Sequence, residues 1–348
     1  MNQRRRNRRA ALAGMLILLG LALSACSGEG GGYVKLQGAT MGTYYRVTAR
    51  CPGIAADGVR ARVEQTVSEV NGRMSTYLPD SELSRFNDAP VGVWQPASPE
   101  LIEVISVAAE ISRLSGGAFD VTVGPLVNLW GFGPDGAITE SPEPAAVREA
   151  LARVGSAHLL IDTGAGALKK DTAVYVDLSA IAKGYGVDRV VDQLVLAGCP
   201  DLLVDIGGEV AARGLNPSGS TWRVGIEVPD PSRIGGVERV VPLSGMAIAT
   251  SGDYRNFLDL DQGRHRVSHT IDPRTGHPIE HDLASVSVLH ASTMWADGLA
   301  TALDVLGPDA GPQLAEREGL AAVFIIRRAG GFEERYTPAM RNYLETQQ

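Results

Sequence analysis

The sequence predicts an α+β fold in a single large two-lobed domain, and three observations carry that expectation. Apolar residues recur at helical spacing in several segments before residue 155. Short β-branched runs between turn residues crowd the middle of the chain. No internal repeat and no second linker divides it.

The elements follow in order. Residues 33–50 are strand-like, with Tyr44, Tyr45, Val47 and Thr48 placed around Gly38 and Gly42. Val59, Val63, Val67, Val70 and Met74 recur at spacings of three and four, which predicts one buried helical face. Ser98-Pro99-Glu100 reads as a helix start, Leu101, Ile102, Ile105, Ala108 and Ala109 continue it, and Gly116-Gly117 stops it. A third helix is expected over Pro144–Val154. Strands are expected at 159–162, 173–177, 202–205, 209–213, 222–228 and 237–243, interrupted by a helix over 179–197 that stops at Gly198. The last third should hold strands at 257–260 and 285–289, a Ser292-capped helix to Leu306, and a strand at 321–326.

Residues 1–25 read as a leader rather than as part of the fold. Arg4, Arg5, Arg6, Arg8 and Arg9 precede an apolar run, Ala10–Leu23, too short for an ordinary membrane-spanning helix. Leu23-Ser24-Ala25-Cys26 resembles a bacterial lipobox, so Cys26 is expected to be acylated, the alternative being a plain secretory signal cut at an alanine, with residues 26–32 as a Gly/Ser-rich tether and 33–348 as the domain. The chain is then exported and lipid-anchored at the periplasmic face of a bacterial membrane, by a general or a twin-arginine route. Without the leader, 27 basic and 40 acidic side chains leave a formal charge of −13 (27 − 40), which disfavours nucleic acid as a partner. Cys51 and Cys199 remain, either as a disulfide or as two separate thiols.

Several familiar motifs are absent, which narrows the choice of chemistry. The sequence has no Gly-x-Gly-x-x-Gly after a strand, no phosphate-binding Walker loop, no Gly-x-Ser-x-Gly elbow and no His-Glu-x-x-His. His265, His269, His277 and His281 invite a zinc reading, but Asp272-Pro273 and Pro278 break any helix there. Loop histidines with one functional member are the better reading. Asp297 and Thr301 lie four apart on the Ser292-capped helix, so one face carries two hard oxygen donors of the kind Mg²⁺ takes, or merely a solvated pair. Asp205-Ile206-Gly207-Gly208-Glu209 could expose consecutive backbone N–H groups to an anion, or could form a tight hairpin turn. Asp177 could cap the following helix or hold a ligand group.

Eight blocks, in order, resemble the bacterial flavin transferases of ApbE type. They are Met41-Gly42-Thr43-Tyr44; Met74-Ser75-Thr76-Tyr77 with residues 81–87; Gly117–Pro125; Asp177–Gly184; Asp205–Glu209; Thr250–Tyr254; His269–Gly276; and Ala296-Asp297 with Thr301. The resemblance spans nearly all of residues 33–348. It implies mixed or antiparallel sheets flanked by helices in a single two-lobed domain. It further implies FAD contacts at Met41, Tyr77, Ala118, Phe119, Asp120, Asp177, Lys183 and Ile271. Mg²⁺ would be held by Asp297, Thr301 and the backbone carbonyl of Ala180. Gly298 stands where the family more usually has alanine.

The implied reaction moves FMN from FAD, the donor, to a threonine or serine hydroxyl of another protein, with AMP leaving. His269 is the expected general base, because an imidazole ordinarily titrates near neutrality. By the resemblance, the acceptor is an exported domain of a membrane redox protein: a sodium-pumping quinone reductase, a related electron-transport complex, or a regulator of nitrous-oxide respiration. A Mg²⁺-dependent FAD pyrophosphatase and a non-catalytic flavin-binding lipoprotein are the competing readings.

Overall fold

The strand-like stretch at the start of the domain is a hairpin, because Met41 and Gly42 both take positive φ (49° and 69°) and reverse the chain between two paired strands. These are β1 (Tyr33–Thr40) and β2 (Thr43–Arg50). The computed structural model describes residues 32–227, 229, 237–252 and 257–346. The leader, Cys26 and the tether through residue 31 lie outside these, as do Asp253 and Tyr254.

Helix α1 (Ala56–Met74) buries the five apolar residues of the predicted face. Next come α2 (Glu82–Asp88), β3 (Gln95–Pro96) and α3 (Pro99–Ser115). Ser98 accepts from the Leu101 N–H at the start of α3, and Gly116 (φ 62°) ends it in the left-handed conformation. Then follow α4 (Gly124–Leu129), α5 (Pro144–Leu151), β4 (Leu159–Asp162) and β5 (Ala167–Lys170).

The strand expected at 173–177 does not form; it makes a single bridge, Tyr175 with Val123. Its backbone is instead held by the Asn87 side chain and the Val121 carbonyl. The helix expected from 179 begins three residues later, as α6 (Ala182–Leu196). Asp177 Oδ1 accepts the Ser179 N–H at 2.8 Å, which holds residues 179–181 in a turn.

Strands β6 (Asp201–Ile206), β7 (Glu209–Arg213), β8 (Trp222–Glu227), β9 (Val237–Leu243), β10 (Met246–Gly252), β11 (Phe257–Leu260), β12 (His265–Ser268) and β13 (Leu283–His290) follow. The chain continues through α7 (Thr293–Arg317), β14 (Ala321–Arg328), β15 (Gly331–Tyr336) and α8 (Pro338–Thr346). Gly307 (φ 74°) breaks α7 directly after Leu306, the expected end, and Pro308 follows it.

Eight strands form one antiparallel sheet in the order β1-β2-β6-β7-β10-β13-β14-β15. Helices α1, α6 and α7 pack against one face, and the β8–β9 hairpin and α8 against the other. Both faces of β14 are therefore buried. Ala322, Phe324 and Ile326 point to the α7 side, while Val323 and Ile325 point to the hairpin side. A strand covered on both faces reads as an unbroken apolar run, which is why 321–326 shows no alternation.

Cys51 and Cys199 are disulfide-bonded, with Cα atoms 4.2 Å apart. They tie the exit of β2 to the entry of its neighbour β6 across 148 residues. The double substitution Cys51→Ala/Cys199→Ala is expected to lower stability by about 2–5 kcal/mol, chiefly by freeing the unfolded chain. Denaturant melts of the oxidised parent and of the variant check this; coincident midpoints would refute it.

Candidate active site

A cavity of about 670 Å³ opens between β2, the β6–β7 turn, the start of α6, the middle of α7 and two loops, 118–121 and 269–273. Ten of the twelve residues expected to hold FAD or Mg²⁺ or to act as base line it: Ala118, Phe119, Asp120, Asp177, Ala180, Lys183, His269, Ile271, Asp297 and Thr301. Met41 and Tyr77 are not among the lining residues. The Met41 methyl lies against α6, where a Cβ on Gly186 would stand 2.9 Å from it. Tyr77 is 60% exposed, and its hydroxyl donates to the carbonyl of Phe132, a residue of the cavity wall. Partial burial and the charge of Asp177 raise its phenol above the ordinary range.

The floor of the site is made where α6 and α7 touch. A Cβ on Gly184 would come within 2.4 Å of the Thr293 carbonyl, so the two helices meet this closely only with glycine there. At that distance the Gly184 N–H donates to Asp297 Oδ2 at 2.9 Å. Asp188, one turn further along α6, accepts from the Ser292 hydroxyl and from the N–H groups of Thr293 and Met294, and so caps α7. Asp297 is thus held from one side by α6, while its Oδ1 lies 3.5 Å from Lys183 Nζ. Thr301 follows one helical turn later. Gly298 faces away from these groups: a Cβ there would stand 2.6 Å from Ile111 Cδ1, so the small residue is a packing requirement of α3 against α7.

Lys183 Nζ also lies 3.3 Å from Glu209 Oε1. Burial alone would lower its basicity, but Asp297 and Glu209 more than offset that and hold the ammonium charged. Burial pushes the Glu209 carboxyl up to about 7, with Lys183 opposing and Asp297 reinforcing. The described lining carries six carboxylates (Asp120, Asp177, Asp205, Glu209, Glu227, Asp297) against two permanent cations, Arg46 and Lys183. A polyanionic ligand therefore needs added positive charge.

Besides Asp297, three of these carboxylates act on backbone. Asp120 Oδ1 accepts from the Thr122 N–H and hydroxyl, and Oδ2 accepts from the Ser156 N–H, so this side chain shapes the loop behind Phe119. Asp177 turns the chain into α6 through the Ser179 N–H. The Gly207-Gly208 pair is a tight hairpin turn: its N–H groups donate to the Tyr44 carbonyl and to Asp205 Oδ1. The reading of free N–H groups facing an anion is thereby corrected.

The four histidines separate. His265 lies 3.3 Å from the Ser141 hydroxyl, His277 packs edge-on against Trp130, and His281 bonds the Asp304 carbonyl. Only His269 lines the cavity, edge-on to Phe132 with ring centroids 6.4 Å apart. Its loop is braced by its own contacts. Asp272 accepts from the N–H and guanidinium of Arg274, Ile271 bridges to Pro278, and the Gly276 carbonyl accepts from the Trp130 indole.

Asn87 and Glu209 fall inside blocks quoted for the resemblance but without an assigned role, and Asp188 falls outside all of them, yet all three build the site. Asn87 is buried and bonds both the N–H and the C=O of Val176, each at 2.8 Å, immediately before Asp177. Asn87→Ala would strand those two groups, with an expected loss of about 2–3 kcal/mol and weaker FAD binding. Thermal melts and flavin titration test this, and wild-type values in both would remove the role.

The ApbE family model matches residues 41–324. A curated FAD:protein FMN transferase of Haemophilus influenzae is 40% identical over 339 residues, covering 95% of this chain and 97% of that protein. One from Vibrio cholerae is 41% identical over 342 residues, with 97% and 99% covered. Among solved structures, the flavin transferase ApbE of Vibrio cholerae superposes with a TM-score of 0.82 at 42% identity, over 89% of this chain and 98% of that one. The apo flavinyl transferase ApbE of Pseudomonas stutzeri gives 0.81 at 42% identity, over 89% and 96%. With the family's match running from the β1–β2 turn to β14 and so including every residue that builds the cavity floor, the chain belongs to the ApbE family.

Proposed function

We propose that the chain is an FAD:protein FMN transferase: a hydroxyl of an acceptor protein attacks the FMN-side phosphorus of FAD, a phosphoester forms and AMP leaves. The observation that carries this is the convergence of Asp297, Thr301 and Ala180 with Lys183 and His269 on one cavity. Its size suits an organic ligand of FAD's class.

Each side chain has a task in that reaction. His269, on its braced loop, accepts the proton of the incoming hydroxyl. Lys183 sets a fixed positive charge beside the phosphates. Phe119 and Ile271 supply apolar wall for flat rings. Asp177 and Asp120 keep the two adjoining loops in shape. Mg²⁺ fits the remaining donors: one carboxylate oxygen of Asp297, the Thr301 hydroxyl and the Ala180 carbonyl are hard ligands, and a single carboxylate is what Mg²⁺ takes beside phosphate and water. When bound, it supplies charge neutralisation at the pyrophosphate.

The acceptor is proposed to be an exported domain of a membrane redox protein, of the quinone-reductase, electron-transport or nitrous-oxide-regulator type. Cys26 is proposed as the lipid anchor that holds the enzyme at the periplasmic face, where such a domain is presented. Incubation with FAD, Mg²⁺ and candidate acceptor domains, followed by intact-mass measurement, tests the function. A covalent FMN adduct on a threonine or serine is expected; free FMN and AMP with every acceptor left unmodified would make the enzyme a pyrophosphatase instead.

A further inference from the structure

Glu209 is a buried carboxylate to which the reaction above gives no task. It opens β7 directly after the Gly207-Gly208 turn, lines the cavity and is 4% exposed. Its Oε1 lies 3.3 Å from Lys183 Nζ, and its Oε2 is buried without a hydrogen-bond partner. A carboxylate with one engaged oxygen is a costly group to bury, and its nearest cation is Lys183.

The geometry of Lys183 explains what such a group does. Its ammonium is shared between two carboxylates, Glu209 and Asp297, with the Ser179 carbonyl at 3.5 Å. Its stem runs beside the turn that delivers Glu209: a Cβ on Gly207 would stand 3.4 Å from Lys183 Cδ. The side chain is also 27% exposed, so solvent offers it a way out. A divalent cation on the Asp297 oxygen that now faces Lys183 would remove one of the two partners and repel the ammonium. Glu209 is the partner that stays.

We propose that Glu209 is a positioning residue for Lys183: it keeps the ammonium in the cavity, facing the phosphates of FAD, when Asp297 is engaged by the metal. This rests on the reading of Asp297 as a metal ligand. Glu209 itself acts through Lys183 and not on substrate.

The test is a double-mutant cycle read by FAD binding, using flavin fluorescence with Mg²⁺ and no acceptor. Glu209→Gln is expected to weaken FAD binding about tenfold when Lys183 is present, and by less than about twofold in a Lys183→Met background. Equal losses in both backgrounds, or none with Lys183 present, would overturn the proposal. Mg²⁺ binding measured calorimetrically without FAD should stay within about threefold in Glu209→Gln; a loss of about tenfold or more would make Glu209 a ligand of the metal and also overturn it. A further measurement needs no FAD: amine acylation at Lys183, followed by peptide mass with and without Mg²⁺. It should be several-fold faster in Glu209→Gln than in the unmodified protein, and equal rates count against the pairing. A protein that binds neither FAD nor Mg²⁺ would defeat the functional reading, while acylation still decides whether Glu209 holds Lys183.

Discussion

Asp297→Asn is expected to reduce Mg²⁺-dependent FMN transfer by about 10²–10⁴-fold, measured as AMP release and as adduct formation across a Mg²⁺ titration. Asparagine is the informative replacement. It keeps an oxygen for the Gly184 N–H, which Asp297 Oδ2 now accepts at 2.9 Å, so the α6–α7 contact survives. What it removes is the negative charge beside Lys183 and the hard anionic donor. Asp297→Ala would lose both and leave a buried N–H unpaired, at an added cost of about 1–3 kcal/mol in stability. The cavity's six described carboxylates against two cations predict the same metal dependence from the other direction, since a pyrophosphate enters an already negative site. Full transfer by Asp297→Asn, or full transfer by the parent enzyme in excess chelator, would defeat the metal assignment.

His269→Ala is expected to bind FAD within about threefold of the parent enzyme and to lose transfer by about 10²–10⁴-fold, the range that removal of a general base produces. The split between binding and turnover is the diagnostic part. The loop holding His269 is fixed by Asp272 with Arg274, by the Ile271–Pro278 bridge and by the Trp130 indole on Gly276. None of these contacts uses the imidazole, so its removal leaves Ile271 in the cavity wall. Stopped-flow mixing with FAD, then with acceptor, separates the two quantities. Transfer at the parent rate would reassign the base.

The elements with local signals were those the sequence placed well. Ser98, Pro99 and Gly116 bound α3 because caps act within one turn, and the Val59–Met74 face of α1 needs only its own periodicity. The expected start of α6 at 179 failed for a local reason of another kind. The Asp177 carboxylate reaches the Ser179 N–H, and that side-chain bond competes with the first helical turn. The strand expected at 173–177 failed for a distant one: Asn87, 89 residues from Val176, takes the backbone bonds a neighbouring strand would have taken. The later strands β10 and β15 show no strong sequence signal, since their pairing is set by β13 and β14 beside them.

The same division runs through the site. Asp297 and Thr301 could be paired from sequence because four residues on a helix share a face, whereas His269 was distinguished from the other three loop histidines only by the family resemblance. The union of these groups with Lys183 and Ala180 depends on α6 meeting α7 at Gly184, a contact between segments more than 100 residues apart. Cys51 and Cys199 could be counted in the sequence but not joined, because the bond requires β2 and β6 to be sheet neighbours. Glu209 could be read from sequence as the end of a glycine turn or anion loop and as part of a resembling block, but with no role of its own; its burial, its unpaired oxygen and its lysine are properties of the packed interior. Composition, periodicity and capping act over a few residues, so the chain order carries them. Burial and charge pairing act through space, and they come into being only when the sheet and its helices close around the cavity.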